Sequence, residues 1–308
     1  MTPVTDRYGR VAVLYGGRSG ERAVSLDSGA AVLAALQTAG LDAIPFDPAE
    51  RELGELRGEG VHRVWNALHG GAGEDGTLQG ALAMLELPVT GSGVLASALA
   101  MDKERSKAVL RARGVNTVGG HAVRRGAALP SDVQYPVFVK PASGGSSLGA
   151  RPVTESSALT DALAAAHALD DVALIEPLLP GPEYTVGILG RSALPAIRID
   201  AGNVFYDYDA KYESEATKFT CPAFTSDNEL AQRLAAQSLA AFGALGCSGW
   251  GRVDFMLDGD GTPCVLEVNT VPGMTTHSLV PHAARVAGID FESLCLAILD
   301  TSFSGGAH

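Results

Sequence analysis

The sequence is poor in cysteine, and this scarcity limits what its thiols can do. Its four cysteines, Cys221, Cys247, Cys264 and Cys295, form no Cys-x-x-Cys pair and sit mostly in apolar surroundings. The usual signatures of a redox dithiol and of a cysteine-ligated metal site are therefore missing. The pattern predicts buried free thiols.

Basic residues and long apolar runs are also lacking. Lysine and arginine number 23 against 35 acidic residues, which gives a formal net charge of −12. This balance disfavours nucleic acid or an anionic membrane surface as a partner, and an anionic substrate would need locally placed cations. No apolar run approaches the roughly 18 residues of a membrane span, and residues 1–6 lack the basic-then-apolar order of a signal peptide. We expect a cytoplasmic protein that contacts neither nucleic acid nor membrane.

The length of 308 residues allows two or three domains. Strand-like and helix-like stretches alternate over the first 90 or so residues, which is typical of a parallel sheet. The middle of the chain resembles a small α+β unit, and the remainder begins with strands of antiparallel character. We therefore predict an α/β (α+β) protein with a Rossmann-like first domain at 1–94, a small central domain at 95–183 and an antiparallel-sheet domain at 184–308.

Apolar periodicity and turn residues predict the individual elements. The predicted strands lie at 11–15, 43–46, 63–68, 89–90, 137–140, 173–176, 184–189 and 196–199. The predicted helices lie at 23–39, 77–87, 96–113, 156–168, 229–245 and 279–287, the last of them closing the chain. Residues 204–222 are polar and aromatic with little periodicity, which indicates a functional loop.

Residues 249–269 predict a β-hairpin whose strands carry polar side chains at their centres. These side chains are Arg252, Asp254, Glu267 and Asn269. If the turn is residues 258–261, Asp254 lies opposite Val265 and Arg252 opposite Glu267, so that all four polar side chains share one face.

Two carboxylates and an amide on one face suit Mg²⁺ held jointly with phosphates better than zinc. The alternative is a hairpin with one solvated face. A five-residue turn would place Asp254 and Glu267 on opposite faces.

The segment 140–149 is a candidate phosphate loop. Lys140 ends an apolar strand, where a charged side chain needs an anionic partner, and a run of glycine and serine follows. Glycine lets backbone amides approach phosphates closely, and Ser146 and Ser147 add hydroxyl donors. The lysine precedes the glycines, so the segment is not a Walker A motif, and a flexible Gly-Ser turn is the alternative.

Two glycine-rich turns, at 16–22 and 69–76, each follow a predicted parallel strand. Open parallel sheets bind ligands beyond the carboxyl ends of their strands. Neither turn has the Gly-x-Gly-x-x-Gly spacing of a dinucleotide site, which counts against a nucleotide-linked oxidoreductase. Glu21 would repel a pyrophosphate but could accept an ammonium, and its alternative is an ordinary acid at a helix start.

Together these segments resemble the D-alanine–D-alanine ligases of the ATP-grasp superfamily over nearly the whole chain. The residues that carry the resemblance are 16–25, 69–76, 91–93, 101–103, 140–149, 209–212, 249–254 and 267–275. The resemblance implies an ATP-grasp architecture. It also implies an ATP-dependent reaction that joins two D-alanine molecules through an acyl phosphate and releases ADP and phosphate. The product would serve peptidoglycan precursor synthesis. The enzyme would be a homodimer that uses two Mg²⁺ or Mn²⁺ ions.

The resemblance also implies a role for each of the following residues. Lys103 and Lys140 would contact the phosphates of ATP, residues 175–179 would form the adenine hinge, and Glu183 would bind the ribose. The full nucleotide set is Lys103, Lys140, Ser147, Glu176, Leu178, Leu179, Glu183, Phe205 and Lys211. The implied metal ligands are Asp254, Glu267 and Asn269.

For the substrates, the resemblance places the ammonium of the first D-alanine on Glu21. Ser146 and Tyr212 would complete a hydrogen-bonded link, and His69 would lie near the carboxylate. The oxyanion would be stabilised by Arg252 and the Gly273 amide, and the second D-alanine would meet Ser278 and Leu279.

A few positions differ from the residues that are common in the family, and one position distinguishes relatives that make different products. Asp209 stands where the family often has Glu, and Val271 where it often has Ser, and neither position carries an implied ligand role. Relatives that make a D-alanyl-D-lactate ester replace the loop tyrosine, so Tyr212 favours the dipeptide product. A non-catalytic ATP sensor on the same scaffold is the remaining alternative, and it is disfavoured because the expected catalytic side chains are present.

Overall fold

The computed structural model describes residues 7–145, 148–201, 217–225 and 227–303. The strands are β1 Arg10–Leu14, β2 Ala43–Phe46, β3 Val61–Asn66, β4 His121–Arg124, β5 Val137–Pro141, β6 Arg151–Val153, β7 Val172–Pro177, β8 Glu183–Leu189, β9 Ser192–Ala193, β10 Ile197–Ala201, β11 Thr217–Thr220, β12 Trp250–Leu257 and β13 Pro263–Asn269. The α-helices are α1 Arg22–Thr38, α2 Glu55–Gly58, α3 Thr77–Met84, α4 Val94–Met101, α5 Lys103–Ala112, α6 Leu159–His167, α7 Glu229–Ala244, α8 Leu279–Val286 and α9 Phe291–Asp300.

The first sheet is parallel, as predicted, with the strand order β2-β1-β3. The predicted strand at 89–90 contributes only a bridge between Val64 and Val89. Both glycine-rich turns follow neighbouring strands, β1 and β3, at their carboxyl ends. The turns therefore lie at the same edge of the sheet, where a ligand can reach backbone groups of both.

The other two sheets are antiparallel, and together with the first they confirm the predicted mixed α/β class. One sheet has the order β4-β7-β5-β6 and packs against α6 through a core that includes Val139, Leu163 and Ile175. The larger sheet has the order β11-β10-β8-β12-β13, with β9 added to β8. It packs against α5 and α7 through residues such as Leu110 and Phe242. The connection from β7 to β8 joins the two antiparallel sheets.

The single helix predicted at 96–113 is two helices. Asp102 has extended backbone angles (φ −86°, ψ 100°), and its carboxylate accepts a hydrogen bond from the Arg105 amide at 2.9 Å. An aspartate in this position caps a new helix, α5, and satisfies one of its free amides. The break places Lys103 at the first turn of α5.

The predicted final helix at 279–287 is not the last, because α9 follows it. Asp290 caps α9 by accepting a hydrogen bond from Ser293 N at 2.7 Å. The buried face of α9 includes Leu294 and Ile298, which share one core with Val13 of β1 and Trp65 of β3. The C-terminal helix therefore completes the core of the first sheet.

Two further contacts join the first sheet to the C-terminal part of the chain. The rings of Trp65 and Trp250 lie with centroids 5.5 Å apart. The Tyr8 hydroxyl donates a hydrogen bond to Asp300 at 2.7 Å. Both ends of the described chain are thus packed into one hydrophobic core.

The predicted pairing within the 249–269 hairpin is wrong, although the shared face is correct. Leu257 pairs with Pro263, so the turn comprises residues 258–262. This turn alone would put Asp254 and Glu267 on opposite faces, but a β-bulge beside Asp254 adds Leu266 to the second strand. Asp254 therefore pairs with Glu267, and Arg252 pairs with Asn269 rather than Glu267.

The four cysteines are free thiols, as predicted. Cys264 and Cys295 are buried, but Cys221 and Cys247 are only partly buried. In the part of the chain that the structure describes, no helix is long and apolar enough to cross a membrane.

Candidate active site

A cleft of about 940 Å³ lies between the two antiparallel sheets. Its apolar walls include Phe138 from one sheet and Met256 and Leu266 from the other. Most of the described residues predicted for the nucleotide and metal sites also line it. These residues are Lys103, Lys140, Glu176, Leu178, Leu179, Glu183, Asp254 and Glu267.

The predicted adenine hinge is the connection between β7 and β8. The amide of Leu178 donates to Pro136 O at 3.1 Å, and the amide of Gly181 donates to Leu257 O at 3.1 Å. The connection is therefore bonded to both antiparallel sheets, and its start and end form one wall of the cleft. Glu176 at the end of β7 is 5% exposed, so its carboxylate needs charged or hydrogen-bonding partners.

The two predicted phosphate lysines reach the cleft from different elements. Lys103 Nζ donates to Gly144 O at 2.6 Å and lies 3.1 Å from Glu267 Oε2. Lys140 Nζ lies 3.0 Å from Glu176 Oε2. Because Lys103 begins α5 and also bonds to the glycine-rich segment, α5 fixes the start of the candidate phosphate loop. Each of the two lysines therefore lies at ion-pair distance from a carboxylate that also lines the cleft.

The start of that loop is held from a second side. The Ser143 amide donates to Asp170 Oδ2 at 2.7 Å, and the Lys103 amide donates to Ala142 O at 2.8 Å. These hydrogen bonds to backbone and carboxylate groups restrict the start of the glycine-rich segment. Less conformational entropy is therefore lost when the rest of the segment becomes ordered. Asp170 was not singled out in the sequence, where it is one acidic residue among many after α6.

Arg252 and Asp254 form a bidentate ion pair on the shared face of the hairpin. Arg252 Nε and Nη2 lie 2.8 and 2.7 Å from the two carboxylate oxygens, and the Thr185 hydroxyl donates to Asp254 Oδ1 at 2.6 Å. Asn269 Oδ1 accepts from the Val271 amide at 2.9 Å. Each of the predicted metal ligands therefore has an oriented oxygen at the hairpin.

The donor set fits a hard divalent cation that also binds phosphate. Asp254, Glu267 and Asn269 offer only carboxylate and amide oxygens, the ligand type that Mg²⁺ prefers. Among the described residues there is no cluster of three or more His, Cys, Asp or Glu that could hold a metal by itself. Mg²⁺ usually keeps waters and substrate phosphates among its ligands, so two carboxylates and an amide suffice.

Three ionisable side chains, Lys107, Glu176 and Lys140, form a cluster at the cleft, which Lys140 and Glu176 line and Lys107 does not. Lys107 and Lys140 each pair with one oxygen of the Glu176 carboxylate. Burial alone would raise the pKa of Glu176, but Lys140 and Lys107 hold it below the usual value. Burial, and then the neighbouring Lys140 ammonium, lower the pKa of Lys107 to about 7. Burial lowers the pKa of Lys140 as well, but Glu176 and Glu267 outweigh that effect and raise it.

Glu21 lies where the two glycine-rich turns meet the Gly-Ser loop. A Cβ atom at Gly70, which has φ +68°, would stand 2.6 Å from Glu21 Oε2, and one at Gly145 would stand 3.4 Å away. Gly70 therefore allows both the left-handed backbone and the close approach of the carboxylate. The structure brings Glu21 next to Gly145, the described residue that precedes Ser146.

His69 is buried, and both of its ring nitrogens contact protein atoms. Nδ1 lies 3.0 Å from Val271 O and Nε2 lies 3.0 Å from the Ser28 hydroxyl, which accepts a bond from Met274 N at 3.1 Å. A backbone carbonyl can only accept, so Nδ1 donates to Val271 O, while Nε2 and the Ser28 hydroxyl lie at hydrogen-bond distance from each other. Glu74 lies 3.6 Å from Nδ1. His69 and Ser28 thus hold the segment 271–274, which contains Gly273.

Gly273, Ser278 and Leu279 lie at the start of α8. The Thr275 amide donates to Ser278 Oγ at 2.9 Å, and a Cβ atom at Gly273 would stand 2.8 Å from the same oxygen. The Ser278 hydroxyl therefore packs closely against Gly273, and a side chain at 273 would have to displace it. Ser146, Ser147, Phe205, Lys211 and Tyr212 lie outside the described residues.

The sequence interpretation missed Ser28, Thr185 and Lys107. Ser28 lies three residues after Ser25 on α1, and both serines are fully buried. Polar residues on the buried face of an apolar helix are a signal that could have been used, because buried hydroxyls need partners. Thr185 and Lys107 gave no such signal, since threonine is common in strands and Lys107 lies in a charged stretch.

The Ser28→Ala variant should lower the free energy of unfolding by about 1–3 kcal/mol, because it leaves the buried Nε2 of His69 and the amide of Met274 without partners. Urea unfolding followed by circular dichroism measures this loss. Ser238→Ala is the matched control, since Ser238 is equally buried but bonds only to the Leu234 carbonyl of its own helix at 2.7 Å. Equal losses in the two variants would contradict the bridging role of Ser28.

Comparisons with known proteins agree with this geometry. The family described as "D-ala D-ala ligase C-terminus" matches residues 119–300. The D-alanine–D-alanine ligase of Laribacter hongkongensis is 50% identical over 304 residues, which are 97% of this chain and 98% of the relative. That of Aromatoleum aromaticum is 51% identical over 307 residues, 98% of each chain.

Solved structures show the same similarity. The D-alanine–D-alanine ligase from Bacillus anthracis complexed with ATP has a TM-score of 0.84 at 34% identity and covers 96% of this chain and 97% of its own. VanG D-Ala:D-Ser ligase from Enterococcus faecalis has a TM-score of 0.81 at 29% identity, and the match covers 96% of this chain and 98% of that ligase. With relatives at about half identity over nearly the full length, the chain belongs to the D-alanine–D-alanine ligase family of ATP-grasp enzymes.

Proposed function

We propose that this enzyme joins two molecules of D-alanine into D-alanyl-D-alanine, with conversion of ATP to ADP and phosphate, for peptidoglycan precursor synthesis. The observation that carries the proposal is the cleft between the antiparallel sheets, where Lys103 and Lys140 stand next to Asp254 and Glu267. Cations and hard oxygen ligands at contact range are what a triphosphate with Mg²⁺ requires. Family membership supplies the identity of the substrates.

In this proposal ATP lies in the cleft with its adenine against the hinge at 175–179 and its ribose at Glu183. Lys103 and Lys140 bind the phosphates, and Ser147, Phe205 and Lys211 complete the nucleotide site. Asp254, Glu267 and Asn269 would hold Mg²⁺ or Mn²⁺, and the bound ion would supply positive charge that neutralises the phosphates. Support comes from the arrangement of the described members of this set, except Asn269, around one cleft.

The first step brings a D-alanine carboxylate to an anionic phosphate, so their mutual repulsion must be cancelled. Two unit charges 4 Å apart interact by about 4 kcal/mol near a protein surface, and by more when shielded from water. Lys103, Lys140 and Arg252 supply the required positive charge. The product of this step is an acyl phosphate, formed as the carboxylate oxygen takes the phosphoryl group and ADP leaves.

In the second step the neutral amine of the second D-alanine attacks the acyl carbon of that acyl phosphate, so that the C–N bond forms, the C–O bond to phosphate breaks, and phosphate and a proton leave. Glu21 binds the first ammonium, and Ser146 and Tyr212 extend the same hydrogen-bonded link. Ser278 and Leu279 contact the second D-alanine, while Arg252 and the Gly273 amide donate to the oxyanion. His69 acts on this pocket by holding segment 271–274 in place, as its bonds to Val271 and Ser28 indicate.

The direct test is an assay of the purified protein with ATP, Mg²⁺ and D-alanine. We expect release of one phosphate per dipeptide, with the dipeptide identified by thin-layer chromatography. D-serine and D-lactate in place of the second D-alanine report on acceptor choice. Phosphate release that does not depend on D-alanine, with ATP binding intact, would overturn the proposal.

We further propose that the enzyme acts in the cytoplasm as a homodimer and is divided into units at 1–94, 95–183 and 184–308. Family membership supports the dimer, and the separate sheets support the division, with α9 as a C-terminal addition to the first core. Light scattering of the eluting protein at micromolar concentration tests the dimer. A monomer mass at all concentrations would contradict it.

A further inference from the structure

Lys107 is a buried cation that lies beside the nucleotide cleft without lining it. Its side chain is 4% exposed, while Lys140 and Glu176, its neighbours on β5 and β7, both line the cleft. Lys107 is therefore the inner ammonium of the cluster and Lys140 the outer one. A nucleotide in the cleft can contact Lys140 and Glu176, but not Lys107.

The Glu176 carboxylate divides its two oxygens between the lysines. Oε1 accepts from Lys107, and Oε2 lies 3.0 Å from Lys140 Nζ. A carboxylate buried to this degree and left without a cation is strongly destabilised, because its charge is then uncompensated in a site shielded from water. If Lys140 were the only cation next to Glu176, it could not turn toward a phosphate without that loss.

We propose that Lys107 is a positioning residue of the nucleotide site: it keeps Glu176 paired from the buried side, and so leaves the Lys140 ammonium available to the phosphates of ATP. This inference rests on the proposed function, because it takes Lys140 to be a phosphate ligand. Lys107 touches neither nucleotide nor substrate, and its effect passes through Glu176 to Lys140.

The charges around Lys107 favour such an exchange. The groups that face it are Glu176 on β7, Lys140 on β5, Lys103 on its own helix and Cys264 on β13. Repulsion from Lys140 is one cause of the lowered pKa of Lys107. When Lys140 turns toward a phosphate this repulsion weakens, and the Lys107–Glu176 pair becomes stronger as it becomes the sole pairing of the carboxylate.

The test compares the binding of ATP and of adenosine, both with Mg²⁺, by calorimetry on the full-length enzyme. Lys107→Met is expected to weaken ATP binding about tenfold to a hundredfold, the range typical of residues that orient a ligand's direct partners. Adenosine binding should change less than about threefold, because adenosine carries no phosphate for Lys140. Lys107→Arg retains the charge and should retain the preference for ATP.

The double variant Lys107→Met, Glu176→Gln provides the decisive comparison. With Glu176 neutral, Lys140 is no longer bound to a lone carboxylate, so the double variant should bind ATP as tightly as Glu176→Gln alone, within about threefold. If Lys107→Met does not fold, Lys107→Gln carries the same expectation and can still donate a neutral hydrogen bond to Glu176.

The outcomes separate this inference from the proposed function. If the unmodified enzyme binds ATP no more tightly than adenosine, the proposed use of Lys140 fails. If it prefers ATP and Lys107→Met keeps the same preference, only the role of Lys107 is overturned. A double variant that binds ATP more than about tenfold more weakly than Glu176→Gln alone would likewise overturn it, because the loss would then not pass through Glu176.

Discussion

Replacing Glu267 with glutamine is expected to lower kcat by about a thousandfold. Glutamine preserves the shape of the side chain but removes the charge that faces Lys103, 3.1 Å away, and that would hold the metal ion. Metal ions supply several kcal/mol of charge stabilisation in phosphoryl transfer, and about 4 kcal/mol corresponds to three decades in rate. Phosphate release at increasing Mg²⁺ concentrations measures the loss.

A second measurement separates metal binding from catalysis in this variant. Electron paramagnetic resonance of Mn²⁺ added with ATP should show weaker retention of the ion by Glu267→Gln than by the unmodified enzyme. Glu292→Gln, at an exposed site in the first turn of α9, is the matched control and should match the unmodified enzyme in both assays. Near-normal turnover of Glu267→Gln at saturating Mg²⁺ would refute the metal assignment.

The variant Arg252→Met is expected to lower kcat by about a hundredfold to a thousandfold while changing the affinity for ATP much less. Loss of one preorganised donor to an oxyanion typically has this effect on turnover, because the donor acts on charge that develops only in the transition state. Arg252 is already oriented by its bidentate pair with Asp254, so it needs little rearrangement to serve as such a donor.

Rates of dipeptide formation, together with ATP affinity from calorimetry at saturating Mg²⁺, test this prediction. Arg57→Met is the control, since Arg57 is half exposed and pairs with Glu86 far from the cleft. Its effect on both quantities should stay within about twofold, as expected for a surface ion pair. If ATP affinity in Arg252→Met fell as far as kcat, Arg252 would be a nucleotide ligand and not an oxyanion donor.

The hairpin shows how a correct functional inference can rest on an incorrect local one. Side-chain parity and a turn at 258–261 predicted that Asp254 and Glu267 share a face. The actual turn includes residue 262 and would have reversed that result, but the bulge at Leu266 restores it. Bulges depend on how a strand pairs with its neighbours, so the apolar pattern of a single strand cannot predict them.

Local capping and tertiary packing explain the other differences in the fold. The apolar periodicity around Asp102 runs on through α4 and α5, and only the backbone angles at Asp102 show that its carboxylate starts a new helix. The short apolar run of α9 becomes a helix because the first sheet offers it a hydrophobic surface. Tertiary packing of this kind is the main source of helix stability in proteins and is not encoded locally.

In the candidate site, side chains that would touch a ligand were easier to predict than those that support them. Lys140 and Asp254 stood out because a charge at the end or centre of an apolar strand needs a partner. Ser28 and Lys107 act on other protein atoms from neighbouring elements. Their partners, such as Met274 and Glu176, are distant in sequence, so only the folded structure brings these pairs together.

The packing of α9 on the first sheet has a consequence for synthesis of the chain on the ribosome. Leu294, Cys295, Ile298 and Leu299 are fully buried and share a core with Val11, Val13 and Trp65. At about 5–20 residues per second, these partners emerge roughly 10–45 seconds after Trp65. The N-terminal strands must therefore wait, with apolar surface uncovered, until α9 has been translated, and this interval is when a nascent chain of this enzyme most needs a chaperone.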